Sequence, residues 1–307
     1  MAPPFHRGEL LVQERAGVRA EAEKVARILR SEIPEGADAW LGQRELAVVA
    51  AVDAEGRAWA SLLAAVPGFL QVEDARRLRV AALPGSGDPL RRALASDGPI
   101  GLLAIDLATR RRMRVNGLVA TIDAAGFVLC TRQVYGNCPK YIQSREPVAI
   151  AAAPADPPPA RLSTALDADL RRFVSAADTF FVGSVHPEAG ADASHRGGEP
   201  GFVRVLGPDR LAIPDYDGNR MFNTLGNLAV DPRVGLVFAG LDEGPDAGRV
   251  LQISGSAAID FDPARAAAFP GAQRVLDVRI ARAVDRPRAL GVRYRLREPS
   301  PFNPPLA

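Results

Sequence analysis

The sequence predicts a mainly β protein with flanking helices, assembled from two related halves in tandem. Three observations carry this. Short runs rich in Val, Ile, Leu and Ala are separated by turn residues along most of the chain, as in barrels and sandwiches. No glycine-rich turn opens a helix after a strand, so neither a dinucleotide-binding βαβ unit nor a phosphate-cradling P-loop is expected. The two halves also repeat one another at a nearly constant offset.

Between Leu10 and Ile33, Val18, Ala22, Val25, Ala26 and Leu29 recur at helical spacing, with Glu21, Glu23, Lys24 and Arg27 on the other face. This predicts one amphipathic helix ended by Pro34. The period then changes. Leu46–Val52 and Ala58–Val66 flank the turn Asp53-Ala54-Glu55-Gly56 and read as a hairpin. Strands are expected at Phe69–Val72, Leu78–Ala81, Ile100–Ile105, Met113–Ile122 and Phe127–Thr131, with a short helix at Pro89–Ala95. Ala153–Ala160 holds four prolines and reads as a linker. A helix at Leu166–Ala176 opens the second half. Its strands are expected at Phe180–Val185, Gly201–Leu206, Leu211–Ile213, Val234–Ala239, Val250–Phe261, Val275–Val284 and Gly291–Leu296. The expected domains are therefore an N-terminal helix (1–36), a first repeat (37–152), a linker (153–165) and a second repeat (166–307).

The repeat is visible residue by residue. At an offset of 133, Val49, Val52, Glu55, Ala60-Ser61, Pro67-Gly68-Phe69 and Val72 match Val182, Val185, Glu188, Ala193-Ser194, Pro200-Gly201-Phe202 and Val205. One residue later, Leu94-Ala95, Asp97 and Gly101-Leu102 match Leu228-Ala229, Asp231 and Gly235-Leu236. Chance in an Ala- and Val-rich chain does not reproduce Phe, Pro, Asp and Ser in one order. The copies differ where chemistry would sit. After the shared Ala-Ser, the first reads Leu62-Leu63-Ala64 and the second His195-Arg196-Gly197-Gly198. Opposite Gly85-Ser86 stand Asn219-Arg220, preceded by Asp215-Tyr216-Asp217-Gly218. One copy retains a polar site and the other only the scaffold.

In the second copy Ser194, His195 and Arg196 are expected where a strand begins, and Asn219 and Arg220 where a helix opens, with Asp217 as its N-cap. Arginines beside the unpaired N–H groups of a helix start form a site for phosphate. Gly197 and Gly198 would let backbone approach a flat ligand. The alternatives are a plain turn for Asp217-Gly218-Asn219 and a solvated edge for Arg196. Three histidines without ligand spacing exclude a zinc or haem-ligand box as the leading idea, so no metal site is expected.

Bulk properties exclude several classes. A net charge of +2 carries no nucleic-acid footprint. Arg110, Arg111, Arg112 and Arg114 read as a solvated charge run. No run approaches the roughly 20 apolar residues of a membrane span. Two cysteines, Cys130 and Cys138, are too few for a disulfide framework, and with no leader-like N-terminus the expected location is the cytoplasm.

The stretches Ser194–Gly198, Pro200–Val203, Leu211–Arg220, Leu225–Leu228 and Asp231–Leu236 together resemble the pyridoxamine 5'-phosphate oxidase-like family, and within it the flavin-nucleotide-binding members. Tyr135-Gly136-Asn137-Cys138-Pro139-Lys140-Tyr141-Ile142 resembles a signature of the same group. The resemblance implies tandem FMN-binding split β-barrels forming an intrachain pseudo-dimer, either monomeric or further dimerised. It also implies FMN, with FAD open, as cofactor, and a flavin-dependent oxidoreductase acting on a small-molecule substrate or electron donor. Ser194, His195, Arg196, Asp217, Asn219 and Arg220 would contact the flavin. Asn137 and Lys140 would reach it from the first repeat. No catalytic residue is assigned. The end Tyr294-Arg295-Leu296-Arg297-Glu298-Pro299 departs from the Arg-Leu-His-Asp-Arg-like ending that holds vitamin B6 substrates, so that oxidation is not expected. Cys138 reads either as an activated thiolate beside Lys140 or as a structural cysteine in a tight turn. The alternative functions are a flavin- or haem-binding sensor without turnover, and a cofactor-free scaffold.

Overall fold

The computed structural model describes residues 3–150 and 158–305. Of the expected linker, residues 153–157 lie outside them.

Instead of one N-terminal helix there are α1 (Arg7–Arg15), α2 (Arg19–Val25) and a 3-10 turn at Ala26–Ile28. Gly17, at φ +67°, turns the chain between the helices. His6 caps α1 in a capping box with Glu9. A short α3 (Ala37–Gly42), not foreseen, leads into the first repeat.

The first repeat contains β1 (Leu46–Val52), β2 (Ala58–Ala64), β3 (Leu70–Asp74), β4 (Arg77–Val80), β5 (Pro99–Asp106), β6 (Arg111–Asp123) and β7 (Gly126–Gly136). The helix expected at Pro89–Ala95 is a single 3-10 turn, Pro89–Arg91. β8 (Ser144–Ala149) follows. β9 (Arg161–Ser163) lies within the stretch expected to be linker and pairs with the second sheet. The second repeat contains α4 (Ala168–Ala176), β10 (Thr179–His186), β11 (Gly190–Gly197), β12 (Arg204–Gly207), β13 (Arg210–Tyr216), α5 (Asn223–Val230), β14 (Arg233–Ala239), β15 (Val250–Asp260), α6 (Pro263–Ala267) and β16 (Ala272–Arg286). β17 (Arg293–Glu298) closes the chain by pairing antiparallel with β8.

The duplication is plain in the strand order. The first sheet runs β2-β1-β5-β6-β7-β4-β3 and the second β11-β10-β14-β15-β16-β13-β12. Each strand of one has its counterpart in the same place in the other. The two form tandem split β-barrels related by a pseudo-two-fold axis.

Strand burial explains the unbroken apolar runs. In β1, Ala47, Val49 and Ala51 face the first barrel's core, while Leu46, Val48 and Ala50 face the other repeat. In β10, Phe180 and Val182 enter the second core and Phe181 the interface. A strand buried on both faces shows no polar alternation.

The interface is reciprocal in detail. Gly101 on β5 lies where a Cβ would come within 2.6 Å of Asp192 Cα on β11. Its counterpart Gly235 on β14 lies where a Cβ would come within 2.5 Å of Trp59 Cα on β2. The same surface is thus used twice in swapped roles, the hallmark of an isologous contact. Glycine is required here for the sheets to touch backbone to backbone.

Candidate functional site

The edge of β11 at the interface opens into a cavity of ≈ 410 Å³. Ser194, His195, Arg196, Asp217, Asn219 and Arg220 line it from the second repeat, and Asn137 and Lys140 from the first. All eight sequence-derived residues therefore surround one space.

Their local placement differs from expectation in three respects. Ser194–Arg196 lie at the end of β11 rather than its beginning. The helix starts at Asn223, with Phe222 as N-cap in the left-handed region, so Asp217 is not its cap. Asp217 instead accepts from Lys140 Nζ at 2.8 Å, a pair that joins the two repeats. Gly197 and Gly198 do not clear room for a ligand. A Cβ on Gly197 would meet the Tyr141 carbonyl oxygen at 2.0 Å, and one on Gly198 the Phe202 ring at 2.6 Å. Both glycines admit protein atoms.

Arg220, at φ +62°, precedes the helix and is half exposed, 3.7 Å from Asp217 and 3.8 Å from Glu21. The Asn219 side chain accepts from the Met221 N–H at 3.1 Å and fixes this turn.

Sequence reasoning missed Arg112 and Arg114 by assigning them to a solvated run. β6 alternates: Met113 and Val115 pack into the first core, while Arg112, Arg114 and Asn116 turn to the second repeat. Arg114 donates to Ala193 O at 3.1 Å, to Asn137 Oδ1 at 2.8 Å and to Ser194 Oγ, and pairs with buried Asp192 at 2.9 Å. The period-2 interleaving Arg-Met-Arg-Val-Asn was the signal for a strand with one polar, buried face. Arg110 does point outward, to Glu298.

Arg112 is the unusual member. It donates to His195 Nδ1 at 3.0 Å and to the Cys138 carbonyl at 2.8 Å. Among the described residues it has no carboxylate partner. Burial, with Arg114 and Arg196 nearby, pulls it down to about 9. His195 lies well below the ordinary histidine range, first through burial and then through Arg112 and its neighbouring arginines. Because arginine only donates, His195 Nδ1 must accept and the proton resides on Nε2. That Nε2 is buried and has no hydrogen-bond partner among the described residues, as is true of Arg112 Nε. Arg196 donates to Ser194 Oγ at 3.0 Å and lies 4.0 Å from Asp215, which Arg274 holds at 3.0 Å. Phe202, Tyr216, Tyr141 and Phe222 supply aromatic wall, and Arg15 at the end of α1 reaches the rim over the Phe261 ring. Cys138 lies on the wall, half-buried, through the loop that follows β7.

The mirror position shows what the first copy lost. Gln252 donates to Ala60 O and Ser61 Oγ at 2.9 Å each, repeating Arg114 on Ala193 and Ser194 with a neutral side chain. Leu62 and Leu63 replace His195 and Arg196. The space is filled by a buried ion pair, Arg286 with Asp88 at 2.6 Å, where Arg286 takes the place of Asn137.

Residues 166–291, nearly the whole second repeat apart from its last strand, match the family model described as Pyridoxamine 5'-phosphate oxidase. Solved structures similar to the chain include HupZ of Group A Streptococcus, at 12% identity and TM-score 0.30, covering 38% of this chain and 92% of that one. A putative pyridoxamine 5'-phosphate oxidase of Lactobacillus delbrueckii has 16% identity and TM-score 0.31, covering 39% and 94%. A protein related to general stress protein 26 from Clostridium acetobutylicum has 12% identity and TM-score 0.29, covering 40% and 89%. No curated protein matches the chain. No helix among the described residues is long and apolar enough to cross a membrane.

Proposed function

We propose that the inter-repeat cavity holds a flavin nucleotide, FMN in the first instance, and that the protein is a flavin-dependent oxidoreductase acting on a small molecule. The observation that carries this is the convergence of Arg112, Arg114 and Arg196 from both repeats on one cavity, with no carboxylate paired to Arg112 among the described residues. A buried cation without a counter-charge is costly, and an anionic ligand supplies that charge. The fit holds on other counts. The volume lies within the range of cofactor pockets, and aromatic side chains border the polar cluster.

Arg196, Arg220 and Asn219 would hold the phosphate, with Arg112 adding charge. Ser194 and the Nε2–H of His195 would donate to the polar edge of the ring or its ribityl chain. The bound flavin supplies the electron-transfer chemistry. The protein's part is to orient it, to keep His195 neutral as a hydrogen-bond donor, and to exclude water between the repeats. The haem-sensor alternative is weaker at His195. With Nδ1 accepting from Arg112, its Nε2 carries the proton and has no lone pair for iron.

The purified protein should show a flavin spectrum or bind added FMN or FAD, and mass spectrometry of the released cofactor identifies which. A colourless protein that binds neither ends this reading. Arg220→Ala and Arg112→Ala should each weaken binding about tenfold, about 1.4 kcal/mol. Reduction by a nicotinamide nucleotide and reoxidation by oxygen would separate an enzyme from a sensor.

A further inference from the structure

Gln143 is an amide buried to 1% exposure just behind the cavity wall. Its Oε1 accepts from Ser300 N at 2.7 Å and Asn303 Nδ2 at 3.0 Å. Its Nε2 faces the carbonyls of Tyr141 at 3.2 Å and Gly198 at 3.3 Å. One side chain thereby ties three segments: the loop after β7, the end of β11, and the chain beyond β17. The terminal segment also grips the loop directly. Ser300 Oγ accepts from Tyr141 N at 3.1 Å, and the Phe302 ring lies 5.7 Å from Lys140 Nζ. Tyr141 needs such support, because it is a non-glycine residue at φ +66°. Held there, it donates from its hydroxyl to the Asp217 carbonyl at 2.9 Å across the cavity.

The pseudo-symmetry shows that this buried amide is not part of the shared scaffold. Arg145 N donates to Leu107 O, and its counterpart Tyr294 N donates to Leu241 O, which aligns the two outer strands. In that alignment the counterpart of Gln143 is Val292, buried in the apolar interface core. The amide occurs only on the side that keeps the polar cavity. On the mirror side, where Arg286 pairs with Asp88, an apolar side chain stands in its place.

We propose that residues 299–304, acting through Gln143, are a positioning element that holds the Cys138–Tyr141 wall against the second repeat and so sets access to the cavity. The assignment rests on this cavity being the functional site, and its first readout needs no flavin.

The experiment follows the reaction of both cysteines with a small neutral thiol reagent in the full chain, in Gln143→Val, which copies the mirror residue, and in a chain ending at Glu298. Cys130 on β7 serves as internal control for general loosening. Cys138 should react about tenfold faster in both variants while Cys130 is unchanged, and FMN affinity should fall about tenfold, about 1.4 kcal/mol. If either variant fails to fold, Ser300→Ala, which leaves Gln143 in place, should still speed Cys138 selectively. Folded variants in which Cys138 reacts no faster, or in which both cysteines speed up together, overturn the proposal. A full chain that binds no flavin, with Cys138 selectively released in the variants, removes the flavin reading and leaves the positioning role standing.

Discussion

Gly101→Ala and Gly235→Ala probe the pseudo-two-fold interface at its tightest points. In each case the added methyl would lie far inside van der Waals contact with backbone: 2.6 Å from Asp192 Cα and 2.5 Å from Trp59 Cα. Carbon atoms in contact need about 3.5 Å or more, so the facing strands must separate by roughly 1 Å. Backbone in a sheet buried on both faces cannot rotate away as a side chain can. Overpacking of this kind costs about 1–3 kcal/mol, and the upper part of that range is expected here. Urea denaturation should give this loss for each variant with an unchanged slope. Because both methyls push the same two sheets apart, the double variant should cost less than the sum of the singles. A loss below about 0.5 kcal/mol at either position, within the range of an ordinary surface change, would refute the reciprocal packing.

Three further outcomes are expected. Asp88→Ala should destabilise by about 3–5 kcal/mol in the same assay, because it strands Arg286 and leaves Ser61 Oγ and Leu90 N without their acceptor; a loss under about 1 kcal/mol would show that the mirror site is not closed by this pair. Glu9→Gln should stabilise at pH 8 and be neutral near pH 4, since burial raises Glu9 to about 7. The sign follows from proton uptake: between the ordinary carboxylate range and pH 7 the folded state binds more protons, so wild-type stability falls as pH rises through that window, by up to about 3 kcal/mol, and a variant with the same slope as wild type would contradict it. Arg112→Gln should raise the titration of His195 followed by NMR, though not to the free value, because burial is the larger cause and Arg112 the next; an unmoved resonance would remove Arg112 from that environment.

Much of the fold could be read from the chain. The apolar runs from Leu46 and Phe180 are strands, and the matches at Pro67-Gly68-Phe69 and Pro200-Gly201-Phe202 mark the same turn in two barrels. The N-terminal periodicity persists across Gly17, where the backbone turns, so the pattern predicts one helix where two form. For the site, the contrast between Leu62-Leu63 and His195-Arg196 led to the right strand edge, since a residue that differs between two copies of a scaffold is free of scaffold constraint. Asp217 pairs with Lys140 and caps no helix, a difference hidden in the sequence because a turn and a helix cap share the same residues. Arg112 and Arg114 are hard to recognise in the sequence because, taken alone, four arginines in five positions look like a solvated edge.

The sequence by itself determined the two-barrel plan, the asymmetry between the copies and the polar residues at β11 and before α5, because periodicity and internal comparison are local properties of the chain. Only the tertiary structure decided which groups face one another across the pseudo-axis. It brought Arg112 to His195, set Lys140 on Asp217, filled the mirror site with Arg286 and Asp88, and folded Ser300 and Asn303 back onto Gln143. These contacts join residues far apart in sequence, and their register is set by sheet-on-sheet packing through Gly101 and Gly235. No pattern along a single strand encodes that register.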